Sequence, residues 1–461
     1  MHQRWTLHIE NFAKIKQADI EMRPLTLLVG ENNSGKSYVA TLMWALWALP
    51  YSSIYPRTAP TTETYEKCLQ AVQDCFRQLH HNTQEKVTFT TEQQQLFVDW
   101  FNDILHKNKT QLVKEAFQKE ISIGKLSIQG YTNTVSISFL KNDNLKLPFQ
   151  LKGYDFKIPS SFLELLAENQ PEKISKGIYY KIIKDITYTL LFTGYSDGTA
   201  LPASLEAILT KHLNLNFNSI PLFMPASRTG FMLTYPALVA EAFEGNSVSL
   251  TKPIQLFLKG LTQQKNKKNP KLSLISDWLE QELLKGAIER QETDTLPQYQ
   301  YRSFQEHTTI PMYLTSSLVA ELAPIIHFLR TFNRYSGLFI EEPEAHLHPA
   351  AQRIMARAIA RIKNEGIPVA ITTHGDTLFQ QLNNLAVLYN HPRQKPLMAE
   401  FGYSKQELLN PQDMVAYQFK NTQQGTLVQK LESTEYGIPV PTFNDPLEEL
   451  LNEVYKLQGT E

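Results

Sequence analysis

The sequence predicts an α/β fold organised around a parallel sheet, and three stretches support this prediction. The first is an apolar run at Leu25–Val29, followed by the pattern G-x-x-x-x-G-K-S over residues 30–37 and then by a helical stretch. The second is an apolar strand that leads into paired carboxylates at 337–342. The third is the helical stretch 350–364 with the apolar strand 367–371 behind it, which completes a right-handed βαβ unit. In such sheets the functional residues lie at the carboxyl ends of the strands.

The composition favours a soluble protein with more than one domain. The chain has 461 residues and a formal net charge of −1, so nothing at the level of the whole chain indicates a nucleic-acid binder. Cys68 and Cys75 fit neither a disulfide framework nor a metal site and indicate a reducing compartment. The chain opens without a signal peptide, and the longest apolar stretch, 38–51, is too short to span a bilayer. We therefore expect a cytoplasmic protein without a membrane partner.

The stretch 30–37 satisfies every position of the phosphate-binding pattern in the strand–loop–helix context that the pattern requires. Backbone N–H groups of the loop would surround the phosphates of ATP, Lys36 would neutralise them, and the Ser37 hydroxyl would bind Mg²⁺. Asn33 stands where a third glycine is common, and Asn tolerates positive φ better than most residues. The predicted ATP-binding residues here are Gly30, Asn32, Asn33, Ser34, Gly35, Lys36 and Ser37.

Between the phosphate-binding loop and the acidic pair lies a long insertion of mixed character. Two alternating strands, at Trp5–Ile9 and Ala18–Met22, precede the loop. The insertion is predicted to be helical over 64–119, 161–193, 203–213 and 236–290, with an interruption at 265–271 in the last of these stretches. Three β-rich runs within 120–158 predict an antiparallel sheet, namely Ile121–Ile128, Thr134–Phe139 and Leu145–Phe149.

An apolar strand beginning at Ile220 ends in a turn of small residues that contains one cation, Arg228. Two interpretations stay open for this residue. Its guanidinium group reaches a phosphate of the nucleotide, or it pairs with a carboxylate. Further along, Thr315–Ser317 is predicted to cap a helix in which Pro324 indicates either a kink or a later start.

The acidic pair and a histidine follow two neighbouring strands. Glu341 is predicted to hold Mg²⁺, and Glu342 to polarise the water that attacks the nucleotide. His374 follows the strand 367–371, at the same edge of the sheet, where an imidazole can hydrogen-bond the γ-phosphate or the attacking water.

In this order the motifs resemble the ABC-type ATPase heads of the SMC, RecF and OLD kind, and within them the OLD-like group. The stretches that carry the resemblance are "IENF", "LLVGENNSGKS", "FMPASRTG", "LFIEEPEAHLHP" and "ITTHGD". The resemblance implies a P-loop ATPase head with two lobes, which begin with residues 1–48 and 309–461. Residues 49–308 between them are expected to hold a mixed helical and antiparallel-sheet insertion and the remainder of the first lobe. The resemblance also implies a dimer or a multiple of dimers.

In that family, ATP is sandwiched between two subunits. The resemblance implies that Glu342 is the catalytic base, that His374 is the switch histidine, and that Ser316 and Ser317 contact the γ-phosphate held by the opposite subunit. The chain departs from the family in two places, because Leu318 replaces the signature glycine and Glu341 replaces the usual aspartate. No glutamine is identified as the Q-loop residue.

The insertion lacks the sustained heptads of SMC proteins, and the residues after Asp376 contain no D-x-D pattern of a Toprim nuclease. Strands at Val415–Phe419 and Thr426–Leu431 are predicted to close the second lobe. The chain is therefore most similar to stand-alone ATPase subunits of bacterial anti-phage systems such as PARIS and Septu. That similarity implies an ATP-driven switch controlling a separately encoded effector, a Toprim or HNH nuclease or a toxin, with DNA or a phage protein as trigger. The alternative is a RecF-like or SMC-like DNA-repair ATPase that binds DNA directly.

Overall fold

The structure is a computed structural model, and the residues that it describes include both predicted site segments. They are residues 5–81, 86–132, 134–139, 148–151, 154–157, 176–192, 220–243, 249–262, 269–294, 296–331 and 335–458.

A nine-stranded mixed sheet forms the centre of the molecule. Its strand order is β5-β1-β2-β16-β15-β3-β14-β13-β9. The five strands from β15 to β9 are mutually parallel, whereas β1 pairs antiparallel with both β2 and β5. The strands of this sheet are β1 (Trp5–Phe12), β2 (Ile15–Met22), β3 (Leu25–Gly30), β5 (Lys125–Gln129), β9 (Ile220–Met224), β13 (Tyr335–Glu341), β14 (Val369–Thr373), β15 (Met414–Thr422) and β16 (Gly425–Leu431).

Two smaller antiparallel sheets lie apart from the central sheet. One contains β10 (Gly286–Gln291), β11 (Gln298–Ser303) and β12 (Thr309–Pro311). The other contains β4 (Lys86–Thr88), β6 (Ser136–Phe139), β7 (Pro148–Leu151) and β8 (Tyr154–Lys157).

The described α-helices cover both faces of the central sheet, and several of them fall within residues 49–308. They are α1 (Lys36–Ala48), α2 (Glu63–His81), α3 (Thr91–Phe117), α4 (Lys176–Phe192), α5 (Arg228–Phe243), α6 (Lys252–Thr262), α7 (Pro270–Leu279), α8 (Ser317–Thr331), α9 (Pro349–Asn364), α10 (Asp376–Tyr389), α11 (Gln394–Phe401) and α12 (Pro441–Gln458). Among the helices of the described ranges, none combines the length and the apolar character needed to cross a bilayer.

Each face of the sheet packs against its own hydrophobic cluster, because alternate strand residues point to opposite sides. On β13, Phe339 belongs to the cluster that contains α1, whereas Leu338 and Ile340 belong to the cluster that contains α8 and α9. Both faces are therefore buried, which explains why the predicted strands of the parallel part read as continuous apolar runs.

Several predictions about the elements are confirmed and others are wrong. The α/β class, the paired strands before the phosphate-binding loop and the βαβ unit are confirmed. The run Ile121–Ile128 is not part of the predicted antiparallel sheet, since β5 pairs with β1 and forms an edge of the central sheet. Alternation in a sequence shows which face of a strand is buried, but it does not show which strand is the neighbour. The strands β4 and β10 lie within stretches that were predicted as helical, and the predicted helix 203–213 lies outside the described residues.

The C-terminal hairpin has a different place from the one predicted. β15 and β16 do not close a second lobe but lie between β3 and β2 in the central sheet. Helix α8 begins at Ser317 and continues through Pro324, so the alternative of a later start is wrong.

Candidate functional site

The phosphate-binding loop joins the end of β3 to the start of α1 and is shaped by positive backbone φ angles. Gly30 has φ of 131°, Asn33 of 57° and Gly35 of 92°. A Cβ atom on Gly30 would lie 2.1 Å from the carbonyl oxygen of Phe419, so only glycine fits this close approach of two strands. The expected tolerance of Asn33 for the left-handed region is confirmed.

Lys36 lies inside the loop. Its Nζ donates hydrogen bonds to the carbonyl oxygens of Gly30, at 2.8 Å, and Glu31, at 2.7 Å, and the residue is 6% exposed. Burial lowers the pKa of Lys36, and the nearby charges of Glu342 and Glu344 oppose that shift. A phosphate group is a better partner for this ammonium than two carbonyls, because it supplies the opposite charge.

The outside of the loop is fastened by residues from two other segments. Asn421 on β15 donates through Nδ2 to the Glu31 carboxylate, at 2.8 Å, and to the Asn32 carbonyl oxygen, at 3.2 Å. Lys14, in the turn between β1 and β2, donates to the Asn33 carbonyl oxygen at 3.2 Å. These contacts were not predicted, because no local pattern marks either residue.

Glu341 ends β13 next to the first residues of α1. Its carboxylate accepts a hydrogen bond from the Ser37 hydroxyl and another, at 3.2 Å, from the backbone N–H of Ala226. Burial raises the pKa of Glu341, and these two hydrogen bonds oppose that shift. The structure thus places the two predicted Mg²⁺ ligands side by side. A hydroxyl and a carboxylate fit Mg²⁺, which takes oxygen ligands and commonly keeps only one or two from protein when phosphates supply others.

Glu342 follows directly and adopts an unusual backbone conformation, with φ of 45°. Its backbone N–H donates to the Thr372 carbonyl oxygen on the neighbouring strand, at 2.8 Å. The His374 Nδ1 lies 3.6 Å from a carboxylate oxygen of Glu342. Both side chains line an open cleft of about 580 Å³, whose other lining residues are Ala226, Ser227, Thr229, Gly230, Ala345 and His346. The predicted base and the predicted switch histidine therefore share one cleft.

A third acid of the same stretch, Glu344, was missed by the sequence reasoning. It is 4% exposed, and its Oε1 accepts hydrogen bonds from the Thr373 hydroxyl at 2.6 Å, the His374 N–H at 2.9 Å and the Gly375 N–H at 3.1 Å. Glu344 therefore holds the backbone on both sides of His374. The clustering of three acids within "EEPEAHLHP" was the available signal.

Arg228 does not reach the cleft as a free cation. Its side chain is fully buried and pairs with Glu321, which is also fully buried, on α8. The same guanidinium donates to the carbonyl oxygens of Glu341, at 2.7 Å, and Glu342, at 3.0 Å. The assignment of Arg228 as an ATP-binding residue is therefore corrected to the alternative of a carboxylate pair, because the side chain is fully buried and its Nη1 and Nη2 groups contact Glu321 and the two backbone carbonyls.

Ser316 and Ser317 lie at the amino terminus of α8, as predicted. The Ser316 carbonyl oxygen accepts from the Ala320 N–H at 3.1 Å, and its hydroxyl accepts from the Val319 N–H at 3.5 Å. Both serines are exposed, and within the described part of the chain no hydrogen bond joins them to residues 30–37. The two residues before this cap, Tyr313 and Leu314, are 71% and 65% exposed.

Comparisons with known proteins identify relatives of the chain. Residues 6–378 match the family model described as "AAA ATPase domain". The Old nuclease of Escherichia phage P2 is 23% identical over 379 residues, which is 81% of this chain and 56% of that protein. The chain thus spans only about half the length of this relative.

Among solved structures, the SMC head domain from Thermotoga maritima gives a TM-score of 0.36 at 8% identity, covering 94% of this chain and 100% of that one. The Smc head bound to the C-terminal domain of ScpA, from Pyrococcus furiosus, gives 0.34 at 8% identity, covering 98% and 100%. The family model covers most of the chain and includes both the phosphate-binding loop and the acidic pair: the chain belongs to the AAA ATPase domain family and is an ATPase.

Proposed function

We propose that the chain works as a dimeric, ATP-driven switch that controls a separately encoded effector in bacterial anti-phage defence. ATP is held by residues 30–37, with Lys36 against its phosphates. Ser37 and Glu341 hold Mg²⁺, which supplies charge stabilisation to the phosphates. Glu342 accepts the proton of the attacking water, and His374 hydrogen-bonds that water or the γ-phosphate.

The observation that carries the proposal is the exposed amino terminus of α8. Ser316 and Ser317 lie at a helix start, where the first N–H groups have no intrahelical partner, and this is a favourable place for a phosphate. They do so beside two exposed apolar side chains, Tyr313 and Leu314, which favours a protein surface as the neighbour. A second copy of the chain, turned by a two-fold axis, satisfies both features at once, since it brings its own phosphate-bound loop to this helix.

A separate effector is proposed because the acids identified in this chain already have roles at the ATP site. Glu341, Glu342 and Glu344 are all used around the nucleotide, and within the described ranges no group of three or more His, Cys, Asp or Glu residues is placed to hold a metal ion. The relative from phage P2 is named a nuclease. We therefore place the cleaving or toxic activity on a partner, a Toprim or HNH nuclease or a toxin, with DNA or a phage protein as trigger.

Sedimentation of the Glu342→Gln variant tests the dimer. This variant is expected to bind ATP without hydrolysing it, so Mg²⁺ and ATP should convert it fully to a dimer or a multiple of dimers. Lys36→Ala is the matched control and should not respond to ATP. Full hydrolysis by a strictly monomeric wild-type protein would refute the proposal.

Incubation with plasmid, single-stranded DNA and RNA tests whether the chain itself cleaves nucleic acid. The purified chain should hydrolyse ATP and leave all three substrates intact with Mg²⁺ or Mn²⁺. Metal-dependent nicking that survives Lys36→Ala and follows the protein through every column would show a nuclease site in the chain itself. A shift of duplex DNA in a gel that requires ATP would favour the RecF-like alternative instead.

A further inference from the structure

A buried polar network lies beneath the cleft and has no role in the mechanism given above. Arg228 and Glu321 pair there with both side chains fully buried, and the Thr229 hydroxyl donates to the other carboxylate oxygen of Glu321. Burial lowers the pKa of Arg228 and raises that of Glu321, and each charge opposes the shift of its partner. Removing two charges from water is costly, and apolar residues of the same volume often stabilise a fold as well or better. The network is therefore poorly explained by stability alone.

Arg228 connects this network to the two residues that carry the chemistry. While its guanidinium pairs with Glu321, it donates to the backbone carbonyls of Glu341 and Glu342. Glu342 has positive φ, a conformation that residues with a Cβ atom rarely adopt unless their surroundings hold it. Arg228 therefore donates to the carbonyl oxygen just before the Glu342 backbone and to the carbonyl oxygen of Glu342 itself, so its two hydrogen bonds flank the strained φ angle.

Glu321 connects the same network to the amino terminus of α8, which is proposed to contact the ATP held by the other subunit. It lies on α8, four residues after Ser317, so about one helical turn separates it from the exposed amino terminus. A helix moves as a unit over such a short distance. A displacement of the α8 terminus would therefore move Glu321, which pairs with Arg228, and Arg228 in turn donates to the backbone of Glu342.

We infer that Arg228 and Glu321 are positioning residues that transmit the state of the α8 terminus to the Glu342 carboxylate of the same chain. The inference rests on the proposed dimer, in which α8 of one subunit contacts the ATP held by the other. When the ATP site of one subunit is filled, its ATP contacts α8 of the other subunit, and this contact positions the Glu342 carboxylate of that other subunit. The two ATP sites are therefore coupled. Arg228 is a positioning residue rather than a catalytic one, because it pairs with Glu321 and donates to the backbone carbonyls of Glu341 and Glu342.

The first test separates positioning from stability. Arg228→Lys and Glu321→Gln should lower kcat by about tenfold or more and leave the Kd for a fluorescent ATP analogue within about twofold. The matched control is Asp413→Asn, which removes one partner of the largely buried pair with Lys363 at the opposite edge of the sheet. That variant should lose thermal stability to a similar extent while keeping kcat within about twofold. Equal losses of kcat at equal losses of stability would overturn the inference.

The second test measures the coupling itself in mixed dimers. A wild-type subunit is paired with a Glu342→Gln partner, whose site fills with ATP, or with a Lys36→Ala partner, whose site stays empty. The per-site hydrolysis rate of the wild-type subunit should be about fivefold higher beside the filled site, within the range of ordinary coupling between sites. Introducing Glu321→Gln into the hydrolysing subunit should abolish that difference.

Each outcome of the second test is decisive. If the difference persists in the Glu321→Gln subunit, it arises from dimer assembly, and the role of the network is wrong. If the wild-type rate is the same beside both partners, the sites are not coupled. Failure of the dimer proposal is distinguished separately, because it would appear as absent ATP-dependent assembly of the Glu342→Gln variant in sedimentation.

Discussion

The phosphate-binding loop and the acidic turn at 341–346 lie at the same edge of the sheet but are held in different ways. The loop takes its shape mainly from its own residues, since its positive φ angles and the hydrogen bonds of Lys36 fall within residues 30–36. The distant residues Asn421 and Lys14 contact only its exposed side. The acidic turn also has positive φ, at Glu342 and His346, yet it depends on partners distant in the sequence. Arg228 is more than a hundred residues away from the carbonyls to which it donates.

Because the two regions are held by different contacts, a substitution in one of them should remove one function, either ATP binding or hydrolysis. A change inside the loop removes groups that touch the nucleotide in its ground state, so binding is lost. A change around the acidic turn displaces a group needed when water attacks, so hydrolysis is lost while binding remains.

Lys36→Ala and Glu342→Gln should separate the two functions completely. Lys36→Ala is expected to abolish nucleotide binding, because it removes the cation inside the loop. Glu342→Gln is expected to preserve binding and to lower the hydrolysis rate by about a hundredfold or more. Calorimetry with ATP and a phosphate-release assay measure the two quantities. Equal ATP affinity in wild type and Lys36→Ala would contradict the loop assignment.

Gly30→Ala tests the backbone of the loop. The added Cβ atom would overlap the Phe419 carbonyl oxygen at 2.1 Å, so the variant should lose ATP binding and at least about 3 kcal/mol of the free energy of unfolding. Gly402→Ala is the matched control, since Gly402 also has positive φ but no heavy atom within 4 Å of the added Cβ. It should cost about 1 kcal/mol and leave ATP binding unchanged. Urea denaturation and calorimetry measure both effects, and similar losses in the two variants would contradict the close contact.

Glu344→Gln tests whether the acidic turn is needed for hydrolysis rather than for ATP binding. The amide keeps the shape of the side chain but removes the charge that orders Thr373, His374 and Gly375. We expect kcat to fall by about tenfold with little change in the Kd for ATP. Glu289→Gln, in the surface pair with Arg302, is the control and should leave both constants unchanged. A loss of binding that exceeds the loss of kcat would place Glu344 with the loop instead.

Asn421→Ala should have the smallest effect. Its contacts to Glu31 and Asn32 lie on the exposed side of the loop, so we expect the Kd for ATP to rise by about two- to threefold, as the loss of one or two exposed hydrogen bonds allows. Gln423→Ala, on the same hairpin, should leave the Kd unchanged. A titration with a fluorescent nucleotide is sensitive enough for both, and equal Kd values would show that the loop needs no support from β15.

The same comparison explains how much the sequence could predict. The loop follows from adjacent residues, and so does the tolerance of Asn33 for positive φ. The position of Glu341 beside Ser37 also follows, because parallel strands place their carboxyl ends at one edge. By contrast, Arg228 was open to two interpretations, since a single cation after a strand does not reveal its partner ninety-three residues later at Glu321.

Long-range pairing limited the fold prediction in the same way. β15 was expected as a strand, but its place between β3 and β16 depends on which edges are free after the sheet assembles. β5 was expected in a sheet of the insertion and pairs with β1 instead. Periodicity predicts that a segment is a strand and which face is buried, and it carries no information about the neighbouring strand.

One working ATP site is proposed to need two chains, and a mixture of two inactive variants tests this requirement. Lys36→Ala lacks the phosphate-binding cation, and Ser316→Arg blocks the amino terminus of α8. Each should be inactive alone, whereas a mixture should form heterodimers with about one working site, made from the loop of one subunit and the helix of the other. The account predicts that phosphate release reappears on mixing in proportion to heterodimer. No recovery in a mixture that sedimentation shows to contain the heterodimer, or full activity of Ser316→Arg alone, would contradict it.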